Sequence, residues 1–167
     1  MKDKLAFSHL SKSGSAKMVN ISEKNSTLRM ARAEAWVHVG PEIIKQLKKE
    51  GGFSKGNVIE TAKLAGIMAA KRTSELIPMC HQIPLDVIEI ITEFIDDSVR
   101  IESRVECVWK TGVEMEAMTS ASVAALTIYD MVKSAGKGIQ IGPLRLLEKT
   151  GGKSGRWEST EVLDGNN

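Results

Sequence analysis

The sequence predicts an α+β fold: one antiparallel sheet with helices packed on one face. Three observations carry that expectation. First, Val99 to Trp109 alternates strictly, with Val99, Ile101, Ser103, Val105, Cys107 and Trp109 on one side and Arg100, Glu102, Arg104, Glu106 and Val108 on the other. A period of two with one charged face is the pattern of a half-buried antiparallel strand. Second, the β-rich run Val87–Ile95 precedes it across Asp96, Asp97 and Ser98, turn residues that make the two runs a hairpin. Third, the run AMTSASVAALTIY from Ala117 to Tyr129 holds no charge. It lies within a helix expected from about Val113 to Ala135, and a helix that is apolar or small all round is buried all round.

The remaining elements follow in order. Met1 to Lys17 mixes Lys, Ser and Gly with few apolar residues and reads as a flexible tail. Leu28 to Val39 alternates charged and apolar residues and then turns apolar, so its second half is expected to be a strand. Pro41 opens a short helix, PEIIKQLKKE, and Gly51 stops it. The loop GGFSKGN, with Lys55, leads to Asn57, which suits a cap. The next helix, VIETAKLAGIMAAKRTSEL, turns Val58, Ala62, Ala65 and Met68 or Ala69 to one face and ends before Pro78. Pro78 and Pro84 then bracket a stiff connection that carries Cys80 and His81. After the long helix, IQIGPLRLLE is a strand in which Gly142-Pro143 marks a bulge or an edge. KTGGKSGRWESTEVLDGNN reads as a second flexible stretch. The order is β-α-α-β-β-α-β. Without the extra short helix it is βαββαβ, the split unit of a ferredoxin-like sandwich. The domain boundaries are a tail over 1–17, one ferredoxin-like domain over 18–155 and a tail over 156–167.

Composition narrows the function classes. The 167 residues are 42% hydrophobic and 26% charged, with a net charge of +2. That charge is too mild to point to nucleic acid or membrane. There is no run of apolar residues long enough to span a bilayer. Aromatics make up 4%, and Trp36, Trp109 and Trp157 are scattered, so no stacking platform for single strands is expected. Two cysteines, Cys80 and Cys107, are too few for a disulfide framework. The expectation is a cytoplasmic protein with reduced thiols.

Chemistry-bearing residues gather at element ends. The imidazole of His81 suits proton transfer near neutral pH or substrate binding, and equally an ordinary loop position. Cys80 reads as a buried small residue before a nucleophile. A lone Cys-His pair, with no CxxC or HxxxH nearby, is a poor metal signal, so no metal ligand is assigned. Glu114 and Glu116 open the long helix, where acids also simply favour the helix dipole. Asp130, near its other end, opposes the dipole among apolar neighbours, and Lys133 three residues on can neutralise it. Such a pair is structural as often as catalytic. GGKSG has Leu147 where a phosphate loop needs glycine, and no helix follows it. Only the weaker reading survives, amides and lysines that close over an anion, set against an exposed tail. Glu116 and Asp130 stand about 21 Å apart along one helix. A pocket that uses both must therefore combine two chains, with two copies of the long helix crossing antiparallel.

Four segments, MVNISEKNSTLRMARAEA, KGNVIETAKLAGIMAAKRTSELIPMCHQIPL, TGVEMEAMTSASVAALTIYDMVKS and IGPLRLLEKTGGKSG, resemble the cyclic pyranopterin monophosphate synthase family, the C protein of the first stage of molybdenum-cofactor biosynthesis. The resemblance covers roughly Met18 to Gly155. It implies a ferredoxin-like subunit in a homohexamer, a trimer of dimers with sites at subunit interfaces. It implies a lyase whose substrate, a cyclised dihydro-GTP handed over by a radical SAM enzyme, is rearranged to cyclic pyranopterin monophosphate with release of pyrophosphate. No redox cofactor is implied, and magnesium has a place only beside the triphosphate. By the same resemblance Asp130 is the general acid/base, partnered by Lys133, and Lys55 is an essential lysine. Met79, Cys80 and His81 form a substrate-contacting loop, with His81 also in proton transfer. Met115 and Glu116 make a second contact with Glu114 beside them. Arg29 and Lys149, with Lys153, hold the triphosphate. Asn20 and Asn57 stand where the family has Asp. Two other readings stay open: a noncatalytic nucleotide-binding module, and a metal-dependent hydrolase using Cys80 and His81.

Overall fold

Alternating small and apolar residues dictate the sheet, and in the computed structural model they do so over more of the chain than the pattern predicts. The structure describes residues 9, 11, 13–50, 57–153 and 155–160. Strand β1 (Thr27–His38) is followed by helices α1 (Pro41–Glu50), α2 (Val58–Lys71) and α3 (Thr73–Leu76). Next come the hairpin β2 (Val87–Ile95) and β3 (Ser98–Trp109), helix α4 (Glu114–Val132), and strands β4 (Gln140–Thr150) and β5 (Trp157–Glu158). The sheet order is β2-β3-β1-β4-β5, antiparallel throughout. The first four strands in that order, with α2 and α4 packed on one face, make the expected ferredoxin-like sandwich.

Ala31, Ala33, Ala35 and Val37 of β1 turn to the helices and are fully buried, as are Val99, Ile101, Val105 and Cys107 of β3. Small residues on the central strand let α4 lie close against the sheet. Helices α2 and α4 in turn meet at Gly66. A Cβ there would stand 2.5 Å from Ile90 Cδ1 and 2.9 Å from the Ser120 carbonyl oxygen, so only glycine fits.

Three differences from the sequence reading have physical causes. Strand β1 includes its charged first half because the opposite sheet face is ionic. Arg32 bonds Glu102 at 2.7 Å and Glu148 at 3.0 Å, and Glu34 lies between Arg100 and Arg145 at 2.7 Å each. Partners distant in sequence thus neutralise the charges. The second helix breaks at Arg72 into α2 and α3. Thr73 Oγ1 donates to the carbonyls of Ala69 and Ala70, the side-chain competition that disturbs a helix interior. Trp157–Glu158, placed by the sequence in a tail, pair with β4 as β5. Asn57, as expected, caps α2 by accepting from the backbone of Ile59 and Glu60.

Candidate active site

The Pro78–Pro84 connection is pinned at both ends. The Cys80 amide donates to the Ile77 carbonyl at 3.0 Å, and the Asp86 amide to Glu106 at 2.9 Å. Asp86 Oδ2 accepts from the Val108 amide at 3.0 Å. This fixed loop presents Met79, Cys80 and His81 to the first turn of α4, which presents Glu114, Met115 and Glu116. Lys149, at the end of β4, closes the group through a 3.0 Å ion pair with Glu114. Together they line a cavity of about 490 Å³.

Glu116 is the unusual group in it. Only 3% of the residue is exposed. Burial pushes its carboxyl up; the helix amide opposes that and the charge of Glu114 adds to it, and the outcome is a value of about 7. A carboxylic acid there holds its proton into the neutral range, which suits a proton donor. Burial also pushes the Cys80 thiol up, and Glu116 adds to it, so the thiol is protonated at neutral pH and is no ready nucleophile. His81 donates from Nε2 to the Val19 carbonyl at 2.9 Å.

A second cavity, of about 670 Å³, adjoins the first. Lys24, Arg29, Lys110 and Lys153 line it, with Glu23 the acid on its wall. Lys24, Thr111 and Gly112 line both cavities, so the two are one groove with an inner chamber and a cationic outer one. Arg29 is held at the end of β3, where Nε donates to the Trp109 carbonyl at 3.3 Å and Nη2 to that of Lys110 at 3.4 Å. Gly151 and Gly152 lie against it. A Cβ on Gly152, whose φ is +71°, would sit 2.1 Å from Arg29 Nη1. Gly151 and Gly152 of the GGKSG motif therefore leave room for Arg29 where any side chain would collide with it.

The structure thus brings Met79, Cys80, His81, Glu114, Met115, Glu116 and Lys149 into one chamber and Arg29 and Lys153 into the next. It does not bring Asp130 and Lys133 to them. These form a 2.6 Å ion pair at the far end of α4, with side chains 69% and 59% exposed. Lys55 lies outside the described residues. Residues that sequence reasoning missed are His9, Val19, Ile21, Lys24, Lys110 and Thr111. The segment from Met18 to Asn25 has no hydrophobic period to reveal its role; only its place inside the first resembling motif marked it. Among the described residues, no group of three or more His, Cys, Asp and Glu side chains is placed to hold a metal ion. No helix there is long and apolar enough to cross a membrane.

The site residues sit in a chain whose relatives are clear. The MoaC family pattern matches residues 18–152. A curated protein of Thermomicrobium roseum, cyclic pyranopterin monophosphate synthase, is 50% identical over 153 residues, covering 90% of this chain and 92% of the relative. The chain belongs to the MoaC family.

Proposed function

We propose that this protein is a cyclic pyranopterin monophosphate synthase, a lyase of molybdenum-cofactor biosynthesis. It converts cyclised dihydro-GTP, received from a radical SAM enzyme in the cytoplasm, to cyclic pyranopterin monophosphate and pyrophosphate. The observation that carries this reading is the divided groove. A chamber with an acid of raised pKa, an imidazole and a thioether opens into one lined by four cations. The purine-derived part of the substrate matches the first in size and polarity, and the triphosphate matches the second in charge.

The chemistry follows from these groups. Hydrolytic opening of the purine-derived ring and closure of the pyran ring are proton transfers, for which Glu116 in its neutral form is a donor and His81 an acceptor. Cyclic phosphate formation joins a sugar-derived hydroxyl oxygen to the α-phosphorus and breaks that atom's bond to the pyrophosphate, which leaves with the electron pair. Arg29, Lys149 and Lys153 offset its charge. No redox cofactor enters, and magnesium accompanies the phosphates instead of residing in the protein.

Asp130, Lys133 and Lys55 complete this reading in a homohexamer, a trimer of dimers. Asp130 lies about 21 Å along α4 from Glu116, and Lys133 about 26 Å, so they reach a substrate in the groove only from a second protomer. Leu126 and Tyr129, exposed at 56% and 38% beside them, give that end of α4 an apolar surface for such a contact. Incubating purified protein with cyclised dihydro-GTP tests the function. Equal amounts of the pterin product and pyrophosphate are expected, and binding without product would leave only a noncatalytic module.

A further inference from the structure

Lys24 occupies a place in the groove that no motif assigned. It lines both chambers, at the boundary it shares with Thr111 and Gly112. Its position is built, although its side chain is exposed. The Lys24 amide donates to the Ile21 carbonyl at 3.1 Å, closing a turn. Upstream, Asn20 Oδ1 accepts from the Ser22 amide at 2.9 Å and from its hydroxyl at 2.7 Å. Two side chains from the body of the site hold this strap: His81 Nε2 donates to the Val19 carbonyl at 2.9 Å, and Lys110 Nζ to the Ser22 carbonyl at 2.8 Å. Lys149 pairs with Glu114 at 3.0 Å, whereas no hydrogen bond or ion pair engages the Lys24 side chain among the described residues.

We propose that Lys24 is a catalytic residue for cyclic phosphate formation, a cation placed where the α-phosphate meets the leaving pyrophosphate. This rests on the function proposed above. A substrate with its purine-derived end in the inner chamber and its outer phosphates among Arg29, Lys110 and Lys153 puts the α-phosphate at the boundary. There the hydroxyl oxygen forms its bond to phosphorus while the bond to the bridging oxygen breaks. The hydroxyl proton passes to His81, and negative charge grows on the bridging oxygen. The ammonium of Lys24 answers charge that develops only in the transition state, so its contribution falls on kcat more than on KM. The cations deeper in the outer chamber hold charge present from the start. Glu23, next in sequence, faces the same chamber and sets a sign limit there: the boundary needs the lysine to stay net positive.

Steady-state turnover of cyclised dihydro-GTP by wild type, Lys24→Gln and Lys24→Arg, with inorganic pyrophosphate as inhibitor, tests this. Lys24→Gln should lower kcat on the order of 100-fold, the scale of losing one transition-state donor. KM and the pyrophosphate inhibition constant should move by less than about threefold. Lys24→Arg should recover most of the loss. Equal urea midpoints for the three proteins exclude misfolding. An unchanged kcat, or a loss confined to KM and pyrophosphate inhibition, overturns the assignment while the function stands. No turnover by wild type overturns both.

Discussion

Replacing Glu116 by glutamine turns its burial into a measurable dependence of stability on pH. The carboxyl rises from an ordinary 4.5 to about 7 in the folded protein. At 1.36 kcal/mol per pH unit that is about 3 kcal/mol, and the residue is 3% exposed, so solvent screening removes little of it. The sign follows from proton binding. Between pH 4.5 and 7 the folded chain binds more protons than the unfolded one, so stability falls as pH rises and the full penalty stands above pH 7. Glutamine is neutral and of similar shape, so it matches the protonated acid and escapes the penalty. The difference in unfolding free energy, Lys-to-carboxylate pairs elsewhere being common to both proteins, should lie near zero at pH 4.5 and favour the glutamine variant by about 3 kcal/mol at pH 8. Urea unfolding at fixed protomer concentration, repeated at half-unit pH steps, measures it. A difference that stays flat from pH 5 to 8 would refute the account of Glu116 as a desolvated acid. The same variant should bind substrate and turn it over slowly, because it has lost the proton it gives.

Three further perturbations follow from the geometry. Gly152→Ala places a methyl 2.1 Å from Arg29 Nη1; the guanidinium swings off its carbonyls, and KM for the triphosphate substrate should rise about tenfold, a loss of one positioned charge contact, with stability lowered by only about 1–2 kcal/mol for alanine at a φ of +71°. Glu34→Ala should cost about 1–3 kcal/mol, because it removes a buried carboxylate that accepts from Arg100 and Arg145, while Arg100 keeps Glu93 and Glu102. Burial alone would raise the Glu34 carboxyl, yet bonds from Arg100 and Arg145 outweigh it and hold it below its ordinary value. Its contribution is therefore present above the unfolded pKa and lost as pH falls through the folded one, so the wild-type advantage should fade in acid unfolding experiments. Gly66→Ala should destabilise by about 1–3 kcal/mol despite alanine's better helix propensity, since the Ser120 carbonyl it meets is backbone and cannot turn aside; a urea midpoint equal to wild type would contradict that packing.

The sequence made the hairpin and α4 legible because each announces itself through local period. It made α1 and the Asn57 cap legible through terminal signals. What it hid depends on partners far along the chain. The charged half of β1 reads as loop until Glu102, Glu148, Arg100 and Arg145 arrive from β3 and β4 to pair with it. The break at Arg72 follows from one threonine hydroxyl turned back on the helix. In the site, the two prolines pointed to Cys80 and His81, and the helix start to Glu114 and Glu116. Their convergence into one chamber, and the pressure of burial on Glu116, are tertiary facts. The Met18–Asn25 strap carries no period and no cap, so nothing local tells that Lys24 stands between two chambers. Asp130 is the reverse case: conspicuous in sequence as an acid against the dipole, and in the folded chain at the opposite end of α4 from the two chambers.

That remoteness makes one measurement decisive for the account, which holds that each site joins two protomers. Co-expressing Asp130→Asn and His81→Ala chains under separate tags and purifying the mixed oligomer gives sites of four compositions. Each parent alone should be inactive. If a site takes its inner chamber from one chain and its acid from another, random mixing restores about one quarter of the sites, and the mixed oligomer should show about that share of wild-type turnover. Mixed oligomers no more active than their parents would contradict it, because then every site draws both residues from the same chain.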